Sequence, residues 1–144
     1  MEGVVAVKIG YSKRASSTAA FALLVEGWND LVQEGFTPEG VAMSPVQADD
    51  EVLYAISAEG DIVGAMAFQV EEDSVWINLS YVEASSRKRG VYRELFAALL
   101  KLARERNVAK ITSEVATGNK IMQLVLRRMG RAAVSVTYEL TLAA

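Results

Sequence analysis

Arg87-Lys88-Arg89-Gly90-Val91-Tyr92-Arg93-Glu94-Leu95 is the stretch on which the reading of this chain turns. A polar loop, residues 83–90, leads into it. An amphipathic helix leaves it, with Val91, Leu95, Ala98, Leu99 and Leu102 on one face. The start of a helix exposes several backbone N–H groups and a partial positive charge. A strand–loop–helix junction of this kind cradles phosphates. Gly90 lets the backbone approach an oxygen closely. Arg87, Lys88, Arg89 and Arg93 concentrate positive charge at the same place. On these grounds the junction is a pyrophosphate site.

Upstream of the loop the apolar pattern is that of a strand meander. Residues 52–57 (VLYAIS) and 62–70 (IVGAMAFQV) flank a Glu59-Gly60-Asp61 turn, and 75–82 (VWINLSYV) follows a second turn at 71–74. Gly64, inside its strand, marks a close backbone approach. Further back, 4–9 (VVAVKI) reads as a strand. Ser16, Ser17 and Thr18 are N-cap candidates for a helix over 18–34 that stops at Gly35. Residues 36–50 hold both prolines and read as a loop. Trp28 and Trp76 are expected to be packing residues. Downstream, 110–115 (KITSEV) is a short strand. Gly118-Asn119 opens a helix over 119–129, with Ile121, Met122, Val125, Leu126 and Met129 expected on its buried side and Gly130 as its stop. Residues 134–142 (VSVTYELTL) close the chain as a strand. The order β-α-β-β-β-α-β-α-β predicts an α/β domain over 1–144, with a single mixed β-sheet flanked by helices.

Composition narrows the chemistry. The 144 residues include no Cys and no His, so thiol nucleophiles, disulfides, His-based triads and His metal sites are excluded. No Asp-rich loop has the spacing of a carboxylate cage, so no metal is expected. No stretch approaches the roughly 20 apolar residues of a membrane span. Residues 1–10 lack the marks of a signal peptide. A soluble, cytoplasmic protein with no membrane partner is therefore expected. The net charge of −3 hides a division: residues 87–131 hold twelve of the fifteen Lys and Arg but three of the eighteen acids. The basic segment suits a polyanionic ligand, and the acidic remainder suits a cationic one.

The central stretch resembles motif A of the GNAT superfamily of N-acetyltransferases, [Gln/Arg]-x-x-Gly-x-[Gly/Ala], in the loop after the fourth strand. Arg87 and Gly90 occupy its first two defined positions, and Tyr92 stands where Gly or Ala is usual. Ser113-Glu114-Val115 followed by Asn119 resembles the family's Leu-x-Val then Asn. The run from Asn119 to Gly130 has the spacing of its last helix, with Arg131 in place of the usual Phe. The resemblance covers about residues 50–142, and 1–49 fit loosely as the variable first strand and helix. It implies a GNAT-like acyl-CoA-binding fold, with acetyl-CoA or coenzyme A as co-substrate. Arg87, Lys88, Arg89, Gly90, Val91, Tyr92 and Arg93 would hold the pyrophosphate. Backbone groups of Tyr81 and Val82 would bind the pantetheine arm and polarise the thioester. Asn119 would contact the cofactor or simply cap its helix.

The implied activity is transfer of an acetyl group to a primary amine: a small cationic amine, an amino acid or a protein amine. Many members place an acidic Tyr seven residues after the Asn, and Leu126 stands there. Glu114 is the candidate base, acting through water, and its alternative is a solvent-facing strand residue. Tyr138 and Tyr92 are phenols that could replace the missing acid. Asn78 lies on the fourth strand where other members carry a base Glu, and could hold a water. Two further readings stay open: a non-catalytic acyl-CoA-binding or regulatory module, and a nucleic-acid binder. The net negative charge and the lack of aromatics interleaved with the basic run weigh against nucleic acid. The terminal strand 134–142 offers a pairing edge through which a homodimer could form.

Overall fold

The computed structural model describes residues 6–35, 46–115, 119–134, 140 and 142. Five strands form one mixed sheet in the order β1-β2-β3-β4-β5: β1 (Val7–Ser12), β2 (Glu51–Ser57), β3 (Ile62–Glu71), β4 (Ser74–Val82) and β5 (Lys110–Ser113). The first four pair antiparallel; short turns join β2 to β3 and β3 to β4, while helix α1 (Ala20–Gln33) lies in the longer connection from β1 to β2. β5 runs parallel to β4, which requires a crossover, and helix α2 (Val91–Glu105) supplies it. Helix α1 covers the opposite face, and α3 (Lys120–Arg128) follows β5. Among the described residues no helix is long and apolar enough to cross a membrane.

Two cores sandwich the sheet. On one face Leu53, Met66, Phe68, Val75 and Ile77 pack against Val91, Leu95, Phe96 and Leu99 of α2. On the other, Val52, Ala65, Ala67, Leu79 and Tyr81 pack with Ala20, Leu24 and Trp28 of α1. β3 is central and covered on both sides, so Val63 to Phe68 are all buried. That is why its sequence reads as a continuous apolar run rather than an alternation.

The meander, the two turns and the helix after the basic loop stand where the sequence predicts them. Gly64 does mark a close approach: a Cβ there would meet Val91 Cγ1 at 2.9 Å. Other expectations need correction. The first strand is Val7–Ser12, with residues 4 and 5 outside the described set. Ser16 and Ser17 do not cap α1. They form a separate 3-10 turn, Thr18 Oγ1 donates to the Ala15 carbonyl, and α1 starts after Ala19 without a side-chain cap. Trp76 is 39% exposed, so it is not the packing residue expected.

α3 buries no residue, and Ile121, which was expected inside, is 78% exposed. Its amphipathic pattern is genuine, but among the described residues it is Met129, the C-cap just past the helix, that packs against the α2-side core. The expected closing strand 134–142 lies largely outside the described residues, as do Tyr138 and Gly118. The loop at 36–50 is described only from Val46.

Candidate functional site

The geometry that matters begins in β4. Its ladder with β5 covers Ser74 to Ile77 and stops. From Asn78 onward no strand among the described residues pairs that edge of β4, while β3 still pairs its other edge. The result is an open β4 edge past the end of β5, the wedge on which the candidate site is built. Opposite Ala67 and Phe68 the β3–β4 register shifts, leaving Asn78 without a partner: a bulge. Val82 faces Gly64 and Tyr81 faces Ala65, while the Glu83 amide donates to the Val63 carbonyl at 2.9 Å. Hydrogen-bonded and non-bonded pairs alternate along such a ladder. Tyr81 therefore spends its backbone groups on β3, whereas Val82 and Ser80 turn theirs to the open edge. The Val82 carbonyl is met there by Arg87 Nε at 2.9 Å.

The loop that follows β4 makes a 3-10 turn at Ala84–Ser86 and then carries two left-handed residues, Lys88 (φ +62°) and Gly90 (φ +85°). Gly90 is also the N-cap of α2, with no side chain capping the turn. The first N–H groups of α2, from Val91 to Arg93, thus lack intrahelical acceptors. Arg87, Lys88, Arg89 and Arg93 are exposed around them. An uncapped helix start, a backbone concavity and exposed cations form the donor set that a pyrophosphate requires. Space also permits it: a Cβ at Gly90 would meet nothing within 4 Å.

On the α1 face, the Tyr81 hydroxyl donates to Asp30 Oδ2 at 2.5 Å, and the Arg87 guanidinium carbon lies 5.2 Å from the ring centre. Burial and then the Asp30 hydrogen bond push the Tyr81 phenol up to about 12, with the negative charge of Asp30 and Glu26 adding to both. The ring passes so close to α1 that a Cβ at Gly27 would meet Tyr81 Cγ at 2.3 Å.

On the α2 face, Arg131 Nη1 donates to the Tyr92 hydroxyl at 3.3 Å, and Nη2 donates to Ser113 Oγ at 2.6 Å. Its guanidinium carbon lies 5.1 Å from the Phe96 ring centre, and Tyr92 stacks on Phe96. Ser80 lies beside the same phenol. Burial pushes the Tyr92 hydroxyl up, and the Arg131 charge offsets this only in part. It stays protonated at neutral pH.

The remaining sequence candidates sit as follows. Asn119 caps α3, its Oδ1 accepting from the Met122 amide at 3.2 Å. Glu114 is exposed, one residue past the end of β5. Asn78 Nδ2 donates to Asp50 Oδ2 at 2.9 Å, so it holds a carboxylate. Sequence reasoning treated Asp50 as the end of a loop and passed over Asp30 and Gln69. Isolated polar residues in these positions carry no pattern, and only folding gives them partners.

The family model described as Acetyltransferase (GNAT) family matches residues 19–130. No curated protein matches the chain by sequence. Solved structures share its fold. An aminoglycoside acetyltransferase, meta-AAC0020, from an uncultured soil metagenomic sample superposes with a TM-score of 0.70 at 14% identity, covering 95% of this chain and 97% of that one. The ribosomal-protein-alanine N-acetyltransferase from Brucella melitensis biovar Abortus 2308 gives 0.69 at 20% identity, covering 95% and 99%. Aminoglycoside N-acetyltransferase AAC(6')-Iy in complex with CoA gives 0.68 at 17%, covering 95% and 100%.

Proposed function

The chain belongs to the acetyltransferase (GNAT) family and is an acyl-CoA-dependent N-acetyltransferase; from that premise we propose that it moves an acetyl group from acetyl-CoA to a primary amine on a cationic acceptor. The observation that carries this reading is the wedge left where β4 outruns β5, opening beside the Arg87–Gly90 loop. The loop and the first turn of α2 hold the pyrophosphate. The open edge of β4 takes the pantetheine arm. The thioester supplies an activated acyl group and a thiolate that leaves readily.

This chain's residues then orient and polarise. The Val82 N–H, turned to the wedge, is placed to donate to the developing oxyanion. Glu114 is the candidate base, acting through water on the acceptor ammonium. Tyr92 is a neutral phenol at the wedge and a candidate donor to the thiolate. Leu126 has no proton to give, so positioning and polarisation carry more of the acceleration. Glu26 and Asp30 place negative charge near the Tyr81 hydroxyl on the α1 face, which favours a cationic amine over an acidic one. Two of the solved structures with this fold are named aminoglycoside acetyltransferases and a third a ribosomal-protein-alanine acetyltransferase. Both small polycations and protein amines therefore belong in the acceptor screen.

Calorimetry with acetyl-CoA tests the site. The wild-type chain is expected to bind, and Gly90→Trp to abolish binding, because the indole would fill the phosphate position. The left-handed backbone adds about 1–2 kcal/mol of strain to that variant, so its unfolding midpoint is measured alongside. Unchanged affinity in a folded Gly90→Trp protein overturns the assignment. The hydrogen bond from Arg87 to the Val82 carbonyl occupies part of the open edge and favours a second reading, a binding module without turnover. Thiol release with an amine panel separates the two.

A further inference from the structure

Among the described residues Asp50 is the one charged side chain withdrawn completely from solvent, at 0% exposure. Burying a carboxylate is costly unless its oxygens are bonded. Among the described residues three donors reach it, and none is a cation: Gln69 Nε2 reaches Oδ1 at 2.8 Å, while Asn78 Nδ2 and the Gln47 backbone N–H reach Oδ2 at 2.9 Å each. The three come from β3, from β4 and from the segment before β2. One buried carboxylate thus ties together three pieces of chain.

Asn78 is the bulge residue, and two things change there. The ladder to β5 ends one residue earlier, at Ile77. The side-chain alternation also reverses: Val75 and Ile77 pack under α2, whereas Leu79 and Tyr81 pack under α1. Strict alternation would have kept all four on one face. The extra residue is what places Tyr81 against α1, leaving Val82 with its backbone facing the wedge. A bulge costs a local break in the ladder and needs something to hold it. The Asp50 carboxylate grips the side chain of that very residue.

We propose that Asp50 is a positioning residue for acyl transfer: through Asn78 it holds the β4 bulge, and so aims the Ser80 and Val82 backbone at the acyl-CoA wedge. The inference rests on the acyl-CoA reading above. Gln69 provides an internal control, because it bonds the same carboxylate from β3, where it keeps its ladder partner Trp76 and is not itself the bulged residue.

Asn78→Ala and Gln69→Ala each delete one donor to Asp50. Acetyl-CoA affinity is measured by calorimetry, unfolding midpoints by heating, and amide resonances of residues 79–82 by NMR on the free chain. Both variants are expected to lower the midpoint. Asn78→Ala alone should weaken acetyl-CoA binding by about tenfold or more and shift the Ser80 and Val82 amides, with Gln69→Ala staying within about twofold. Equal losses in both variants reduce Asp50 to an anchor and overturn the proposal, as does unchanged affinity in Asn78→Ala. If Asn78→Ala does not fold, Asn78→Ser replaces it in the same comparison. If the wild-type chain fails to bind acetyl-CoA, the functional reading falls. The amide resonances then decide separately whether Asn78 holds the bulge: shifts at 80 and 82 sustain that half, and their absence removes it.

Discussion

The Tyr92 hydroxyl accepts a hydrogen bond from Arg131 at 3.3 Å, so two of the residues that depart from the family pattern meet each other. A small residue at 92 would leave a space beside Phe96, and an aromatic at 131 would fill apolar surface. Here a phenol fills the space and a guanidinium caps it, bonded to Ser113 and lying over Phe96. Changing either one strands the other. Tyr92→Phe and Arg131→Leu should each destabilise the chain, and the double variant should cost less than their sum. The expected coupling is about 0.5–1 kcal/mol, read from a double-mutant cycle of urea unfolding. Additive costs would show that the contact contributes nothing. The sequence exposes both departures, but at 39 positions apart nothing in it pairs them.

At the scale of elements, α1 and β4 are joined by a tight crossing. Gly27 lies mid-helix, where alanine would ordinarily be worth about 1 kcal/mol more than glycine. At this position a Cβ would lie 2.3 Å from Tyr81 Cγ and 2.8 Å from its Cβ. Those atoms stay close to the β4 backbone and cannot swing away, so α1 would have to lift off the sheet. Gly27→Ala should therefore destabilise by about 1–3 kcal/mol, despite the gain in helix propensity. A raised unfolding midpoint would show that the crossing can relax.

α3 illustrates the reverse case. Its apolar stripe is plain in the sequence, and the Asn119 cap and the stop at Gly130 fall where expected. Periodicity reports that a face is apolar, not that something covers it. Ile121 and Val125, both of that stripe, accordingly remain exposed.

At the scale of the whole molecule, one ion pair closes the sheet onto the far end of α2. Arg106 Nη2 lies 2.6 Å from Glu51 Oε1, and the Tyr11 hydroxyl donates to the same oxygen at 2.5 Å. Burial pushes the Glu51 carboxyl up. The Arg106 and Tyr11 hydrogen bonds and the Arg106 charge outweigh it, holding the group below its usual 4.5. A carboxyl with a depressed folded-state pKa stabilises the fold above the unfolded value and loses that stabilisation as pH falls through the folded one. Stability should therefore decline as pH drops below about 4.5, and Glu51→Gln should flatten that part of the curve. The pair is partly exposed and screened by solvent, so the loss in the variant near neutral pH is about 0.5–1 kcal/mol. Parallel acid-unfolding curves for the two proteins would exclude Glu51 as a source of the dependence.

What the sequence determined by itself is local or periodic: the meander with its turns, the basic loop ending in Gly90, the amphipathic α2 and the capped start of α3. Each follows from spacing along a few residues, where propensity and side-chain period act directly. The loop and helix start proposed to hold the pyrophosphate were legible for the same reason, since they are contiguous. Tertiary structure alone decided the rest. It ended the β4–β5 ladder at Ile77, turned Val82 rather than Tyr81 toward the wedge, and buried Asp50 against Asn78. It also joined Tyr92 to Arg131 and left α3 largely uncovered. These outcomes depend on a bulge that reverses strand parity and on contacts between distant residues. No local pattern encodes them, because their energy arises only once the two faces of the sheet are packed.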